Sequence, residues 1–134
     1  MFNSEKIGNE FYQNLGKLFY AVAMADHNVR PVEVKRLRKY VRQHWLEVDQ
    51  FEDEFHTDSA YQIEIVFDWL EGEEKDGDEY FEEFKEFYKD HPEKFSEKLK
   101  QLIVETAESI ASSFAGKNRS EMLAIFKLKQ LFNH

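Results

Sequence analysis

Two carboxylates, Asp26 and Glu33, flank a short polar turn, Asp26-His27-Asn28-Val29-Arg30. Asp26 follows the small apolar run Ala21-Val22-Ala23-Met24-Ala25, which reads as the end of a buried helix. Pro31 fits the first position of the next helix, where its fixed φ is suitable and its missing N–H costs nothing. Glu33 then falls in the first turn, where the positive end of the helix dipole favours an anion. A carboxylate in the turn and another one helical turn further on have two possible uses. They converge on a cation, or Asp26 caps backbone N–H groups while Glu33 answers the dipole; caps are the commoner outcome for such pairs.

The segment copies the last two-thirds of an EF-hand loop, with Asp26 at its fifth position and Glu33 at its twelfth. The first and third positions would then be Val22 and Met24, which offer no side-chain oxygen, and His27 would replace the glycine of the sharp turn. An EF-hand is excluded.

Other chemistry is sparse. The chain has no Cys, so thiolate nucleophiles, disulfides and Cys-based zinc sites are ruled out. No phosphate loop ending in Gly-Lys-Ser/Thr and no Gly-x-Ser-x-Gly elbow occurs. Asp53-x-x-His56 matches half of a di-iron carboxylate motif, but those bundles need two Glu-x-x-His pairs, and none precedes any His here. The five histidines, at 27, 44, 56, 91 and 134, are scattered in polar contexts. The chain reads as a non-enzyme.

The elements that position these residues are helical. With 134 residues, 42% of them hydrophobic, the chain suits one domain over 1–134 with a single core. Thirteen Phe imply a core built from large rings, and only two Pro and five Gly argue against a turn-rich β fold. Phe11, Leu15, Leu18, Phe19 and Val22 recur at three- and four-residue spacing, predicting a helix from about 4 to 25 with Ser4 as cap. Gly8 and Gly16 within it read as packing contacts or a slight bend.

A second helix is expected over Pro31 to Trp45, burying Val34, Leu37, Val41 and Trp45. Lys35, Arg38, Lys39 and Arg42 occupy its opposite arc. Such a stripe is a solvated face or a docking surface for an acidic protein partner. Nucleic acid is disfavoured by the net charge of −9 and by the lack of interleaved exposed aromatics.

Glu47 to Thr57 reads as an acidic connection pinned by Phe51 and Phe55. Residues 58–71 carry two periodicities. Tyr61, Ile63, Ile65, Phe67 and Trp69 alternate as in a strand, whereas Ala60, Ile63, Phe67 and Leu70 fit a helical face. No second strand is available to pair with it, so a helix is expected. Gly72 to Asp78 is read as a solvated linker. Helices are expected over about 79–90, over 92–115 ended by Gly116, and from a Ser120 cap to about Phe132. The last is apolar on much of its circumference, which suits deep burial or a homodimer face.

The segment Ala25-Asp26-His27-Asn28-Val29-Arg30-Pro31-Val32-Glu33, after a small-residue helix, resembles the Ala-Asp-Gly-x-Ile/Val-x-x-x-Glu segment of TerB-like proteins. That family includes tellurite-resistance TerB and the N-terminal domain of the DjlA co-chaperones. The resemblance is good across Leu18 to Val41 and weaker across Ile103 to Phe132. It implies an all-α single-domain bundle of about six to seven helices in two pseudo-repeated halves. It further implies an accessory role in stress or tellurite resistance and a divalent cation (Ca, Mg, Mn or Zn) at clustered acidic residues, here Asp26 and Glu33.

The chain departs from the pattern twice. His27 stands where the family has Gly, so a turn needing φ > 0 would be strained or reshaped. Aligning Ala115 with Ala25 without gaps puts Gly116 opposite Asp26 and Leu123 opposite Glu33, so the second half lacks a matching carboxylate pair. One weak cation site is the expectation, in a cytoplasmic protein. Residues 1–13 show no signal-peptide core and no run reaches the roughly 18 apolar residues of a membrane span.

Overall fold

A computed structural model describes residues 4–26, 28–45, 60–112 and 119–133. Six α-helices are present among them: α1 (Ser4–Ala23), α2 (Pro31–Tyr40), α3 (Gln62–Gly72), α4 (Gly77–Asp90), α5 (Glu97–Ser112) and α6 (Arg119–Phe132). There is no strand among the described residues, and the architecture is an all-α bundle. The acidic connection at 47–57, the His27 turn position, Asp53-x-x-His56 and the Gly116 cap lie outside the described residues.

The bundle is built around α1, which packs against α3, α4, α5 and α6. A helix surrounded in this way must be apolar on more than one face. Accordingly Tyr12 and Tyr20 are as fully buried as Phe11, Leu15, Leu18, Phe19 and Val22. Tyr20 reconciles its hydroxyl with that burial by donating to the carbonyl of Lys75 in the α3–α4 connection.

At Gly16, α1 and α3 approach each other closely. A Cβ there would lie 2.8 Å from the Ile63 carbonyl oxygen and 3.0 Å from Val66 Cβ. Gly72, near the C-terminal end of α3, has nothing within 4 Å of its virtual Cβ. The two positions therefore make a matched test. Gly16→Ala is expected to cost about 1–3 kcal/mol through overpacking, its propensity gain outweighed. Gly72→Ala is expected to add up to about 1 kcal/mol. Urea unfolding of both variants checks the signs.

Residues 62–72 are helical, and the alternating pattern is resolved by exposure. Ile63, Phe67 and Leu70 are buried, whereas Ile65 and Trp69 are more than half exposed. The apparent strand signature came from large apolar residues on the wet face of α3.

Several boundaries differ from the expectation. α2 ends as an α-helix at Tyr40 and continues as one π turn, Val41–Trp45, which places the Trp45 ring in the core. The supposed linker over 72–78 stops early: Asp76 caps α4 by accepting from Asp78 N at 3.1 Å, and Gly77 is buried against Ala21 and Met24 of the α1 end. The helix expected to start at Pro92 is split into a 3-10 turn, Pro92–Lys94, and α5. Ser96 Oγ accepts from Leu99 N at 3.2 Å and so restarts the helix. The break between them turns Phe95 into a ring cluster with Phe11, Phe84, Phe87, Tyr88 and Phe132, with centroids 5.0–6.3 Å from its own. Burying that ring among five others outweighs one uninterrupted helical turn. Ser120, expected as the final cap, lies inside α6.

Candidate functional site

The α1–α2 turn is held by its own charges. Asp26 Oδ1 accepts from Asn28 N at 3.2 Å, and its Oδ2 pairs with the Arg30 guanidinium at 2.9 Å. Glu33 Oε1 accepts from the Arg30 backbone N–H at 2.7 Å, the reciprocal half of a capping box. Glu33 Oε2 lies 4.0 Å from the same guanidinium. Asp26 and Glu33 thus serve as caps and share Arg30 between them.

The structure adds a carboxylate that the sequence reading left out. Glu121, in the first turn of α6, is only 1% exposed, and Glu33 is fully buried. The two side chains are hydrogen-bonded neighbours, with Asp26 and Arg30 close enough to act on Glu121 electrostatically. Burial, first of all, and then the bond to Glu33 and the charges of Glu33 and Asp26 push the Glu121 carboxyl up to about 9; Arg30 opposes the shift. Two carboxylates sharing one buried spot resist ionising together, and the raised Glu121 carboxyl means that the pair keeps a proton at neutral pH.

The signal for Glu121 was present in a different register. Pro31-Val32-Glu33-Val34 and Arg119-Ser120-Glu121-Met122 each put a Glu at the third residue of a helix. Setting Glu121 opposite Glu33 takes a shift of two residues from the gapless alignment, which placed Leu123 there.

Asp26, Glu33 and Glu121 bring three carboxyl groups to one place, with the Arg30 guanidinium beside them. The donors are all carboxylate oxygens, which suit a hard cation such as Ca²⁺, Mg²⁺ or Mn²⁺ better than Zn²⁺. The chemistry of the donor set therefore fits a divalent cation. Among the described residues, however, no group of three or more His, Asp or Glu is already arranged around a cation position. A preformed cage is absent from them, and Arg30 competes for the same carboxylates.

The basic face of α2 has partners within the fold. Arg38 NH2 donates to both oxygens of Asp68, at 2.9 and 3.1 Å, and Arg42 reaches Glu64 at 3.3 and 3.4 Å. Glu64 is buried, and these guanidiniums are what make its charge tolerable there. Lys35 and Lys39 are exposed along a groove of about 540 Å³ between α2 and Glu71 of α3. Half of the basic stripe that the sequence offers to a partner thus clamps α2 to α3.

No helix among the described residues is long and apolar enough to cross a membrane. Comparison with protein-family models, with curated proteins and with solved structures finds no match to this chain, so the functional reading rests on its own residues.

Proposed function

We propose that this chain is a non-enzymatic, TerB-like accessory protein of the cytoplasm, with a stress role of the tellurite-resistance kind implied by its sequence resemblance. Its working feature is a single weak divalent-cation site at the α1–α2 turn. The observation that supports this reading is the meeting of Glu33 and Glu121, two buried carboxylates from the first turns of different helices, beside Asp26. Asp26 and Glu33 are the ligands, with Glu121 as the third carboxylate. A divalent cation taken up as Glu121 loses its proton would answer the negative charge gathered there. Affinity is weak because the ion competes with that proton and with Arg30.

Thermal melts with Ca²⁺, Mg²⁺, Mn²⁺ and Zn²⁺ test the site. A cation at about 100 times its Kd adds about 2.7 kcal/mol. For a chain of this size that is a shift on the order of 10 °C. Asp26→Ala should abolish the shift. Stability indifferent to every ion, or an equal shift in the variant, would remove the cation from the account.

A second reading is favoured by a separate observation. Met122, Leu123 and Phe126 are each more than half exposed on α6, which suits a metal-free interaction or dimerisation module using this helix and the open lysines of α2.

A further inference from the structure

The cleft between α4 and α6 gathers cations that the fold itself does not use. The two helices meet through Phe84 and Tyr88 against Phe132, with ring centroids 6.2 and 5.2 Å apart. Between the same helices lies an open cleft of about 460 Å³, within the size of small-molecule sites. Phe81, Lys85 and Lys89 recur every four residues, so one stripe of α4 lines it. Lys127 and Leu131 of α6, also four apart, line it from the other side. Lys89 and Lys127 are exposed, and Lys85 is half-buried.

The sorting of charge singles this cleft out. α4 is an acidic helix with only two lysines, and both of them line the cleft. Glu82 is the one acid that lines it among the described residues. Elsewhere Lys17, Lys100 and Lys129 each find a carboxylate within the fold, at 2.9, 3.8 and 2.9 Å. Lys85, Lys89 and Lys127 make no ion pair among the described residues, although the chain holds 27 acids to 18 bases. Lys85 and Lys89 stand at i and i+4, a like-charge spacing that weakens a helix, and Lys127 adds a third cation from across the cleft. Three ammonium groups from two helices suit a compact group with more than one negative charge. A phosphate monoester carries close to two charges and three acceptor oxygens at neutral pH, and lysine binds it as a point charge. Phe81 and Leu131 supply an apolar wall for whatever the phosphate is attached to. An extended polyanion would meet the rest of a chain of net charge −9, whereas a small ligand feels chiefly the charges within about 8 Å.

We propose that the α4–α6 cleft binds a small phosphomonoester, its phosphate held by Lys85, Lys89 and Lys127 and its organic part lying against Phe81 and Leu131. This site goes beyond the functional reading above and shares no residue with the α1–α2 turn, so either can fail alone.

The probe is phenyl phosphate, with inorganic phosphate and benzoate beside it, at fixed ionic strength and with no divalent cation added. Amide NMR titration of the full chain should give saturable shifts with phenyl phosphate, centred on residues 81–89 and 127–131. Inorganic phosphate lacks the ring and benzoate carries a single charge, so each should bind several-fold more weakly. Lys89→Gln and Lys127→Gln should each weaken phenyl phosphate by at least about tenfold, as loss of a charged hydrogen-bond partner does. Lys98→Gln, the same charge change at an exposed position of α5, should leave binding as it is. Without ligand, neither cleft variant should melt below wild type, since each removes one of three mutually repelling cations. No saturable binding, an equal loss in Lys98→Gln, or benzoate binding as tightly as phenyl phosphate would overturn the proposal. So would inorganic phosphate binding as tightly, or a ligand-free melt lowered by Lys127→Gln. Binding to phosphatidic acid vesicles with no response to phenyl phosphate would also overturn it, by placing the phosphate on a lipid.

Discussion

Glu121→Gln is expected to make the protein more stable at neutral pH and to flatten the pH dependence of its stability. The folded state pushes the Glu121 carboxyl from 4.5 up to about 9, so between those values the native protein holds a proton that the unfolded chain has released. Stability therefore falls as pH rises through this window, by up to about 1.4 kcal/mol per pH unit. The contribution of protonated Glu121 is fully present below the unfolded value and is lost on the way to about 9. Gln keeps a donor for Glu33 and never ionises. The advantage of the variant should be on the order of 2–3 kcal/mol near pH 7, vanishing toward pH 4. The proton belongs to the Glu33–Glu121 pair, so the difference between variant and wild type is the informative quantity. Urea midpoints measured from about pH 5 to pH 8 decide it. Parallel curves for the two proteins would mean that the buried pair does not hold a proton.

Trp45→Ala is expected to be among the most damaging single changes, at about 3–5 kcal/mol. The indole is fully buried, packs edge-on against Tyr12 with centroids 6.4 Å apart, and touches Phe19 at 6.3 Å. Its Nε1–H donates to Thr106 Oγ1 at 3.0 Å, while that hydroxyl donates to the Leu102 carbonyl at 2.7 Å. This chain ties α2 to α5 through a buried polar contact. Trp45→Phe keeps most of the volume and loses the donor, so it should cost about 1–2 kcal/mol. Thr106→Val removes the acceptor and strands the indole N–H, for about 1–3 kcal/mol. Chemical denaturation of the three variants, with the double change Trp45→Phe/Thr106→Val showing less than the sum, checks the pairing. Additive costs would mean that the contact has no energetic role.

Helical periodicity made α1, α4 and most of α5 legible, because each buries residues at the spacing that its sequence displays. The limits lay where tertiary packing overrides a local pattern. Phe95 leaves a helical register to join five other rings, and nothing in Pro92-Glu93-Lys94-Phe95 announces that. Trp69 and Ile65 look like core residues and are exposed, so the wet face of α3 imitated a strand. At the candidate site, Asp26 and Glu33 were visible from turn chemistry alone. Arg30 was invisible as their shared partner, since a cation within the turn does not register in a search for ligands. Glu121 was hidden by distance in sequence: its proximity to Glu33 exists only once α6 closes on α2. Arg38 and Arg42 show the same effect in reverse, since a solvent-facing stripe on a helical wheel becomes an ion-pair seam when α3 packs alongside.

The most direct test of the cation reading is calorimetric titration with Mn²⁺ or Ca²⁺ near pH 7 in two buffers of different ionisation enthalpy, which reports protons released per ion bound. The proposal predicts weak one-to-one binding with close to one proton released, and loss of that release in Glu121→Gln. Absence of binding, or binding with no proton released, would contradict the exchange of a cation for the Glu121 proton.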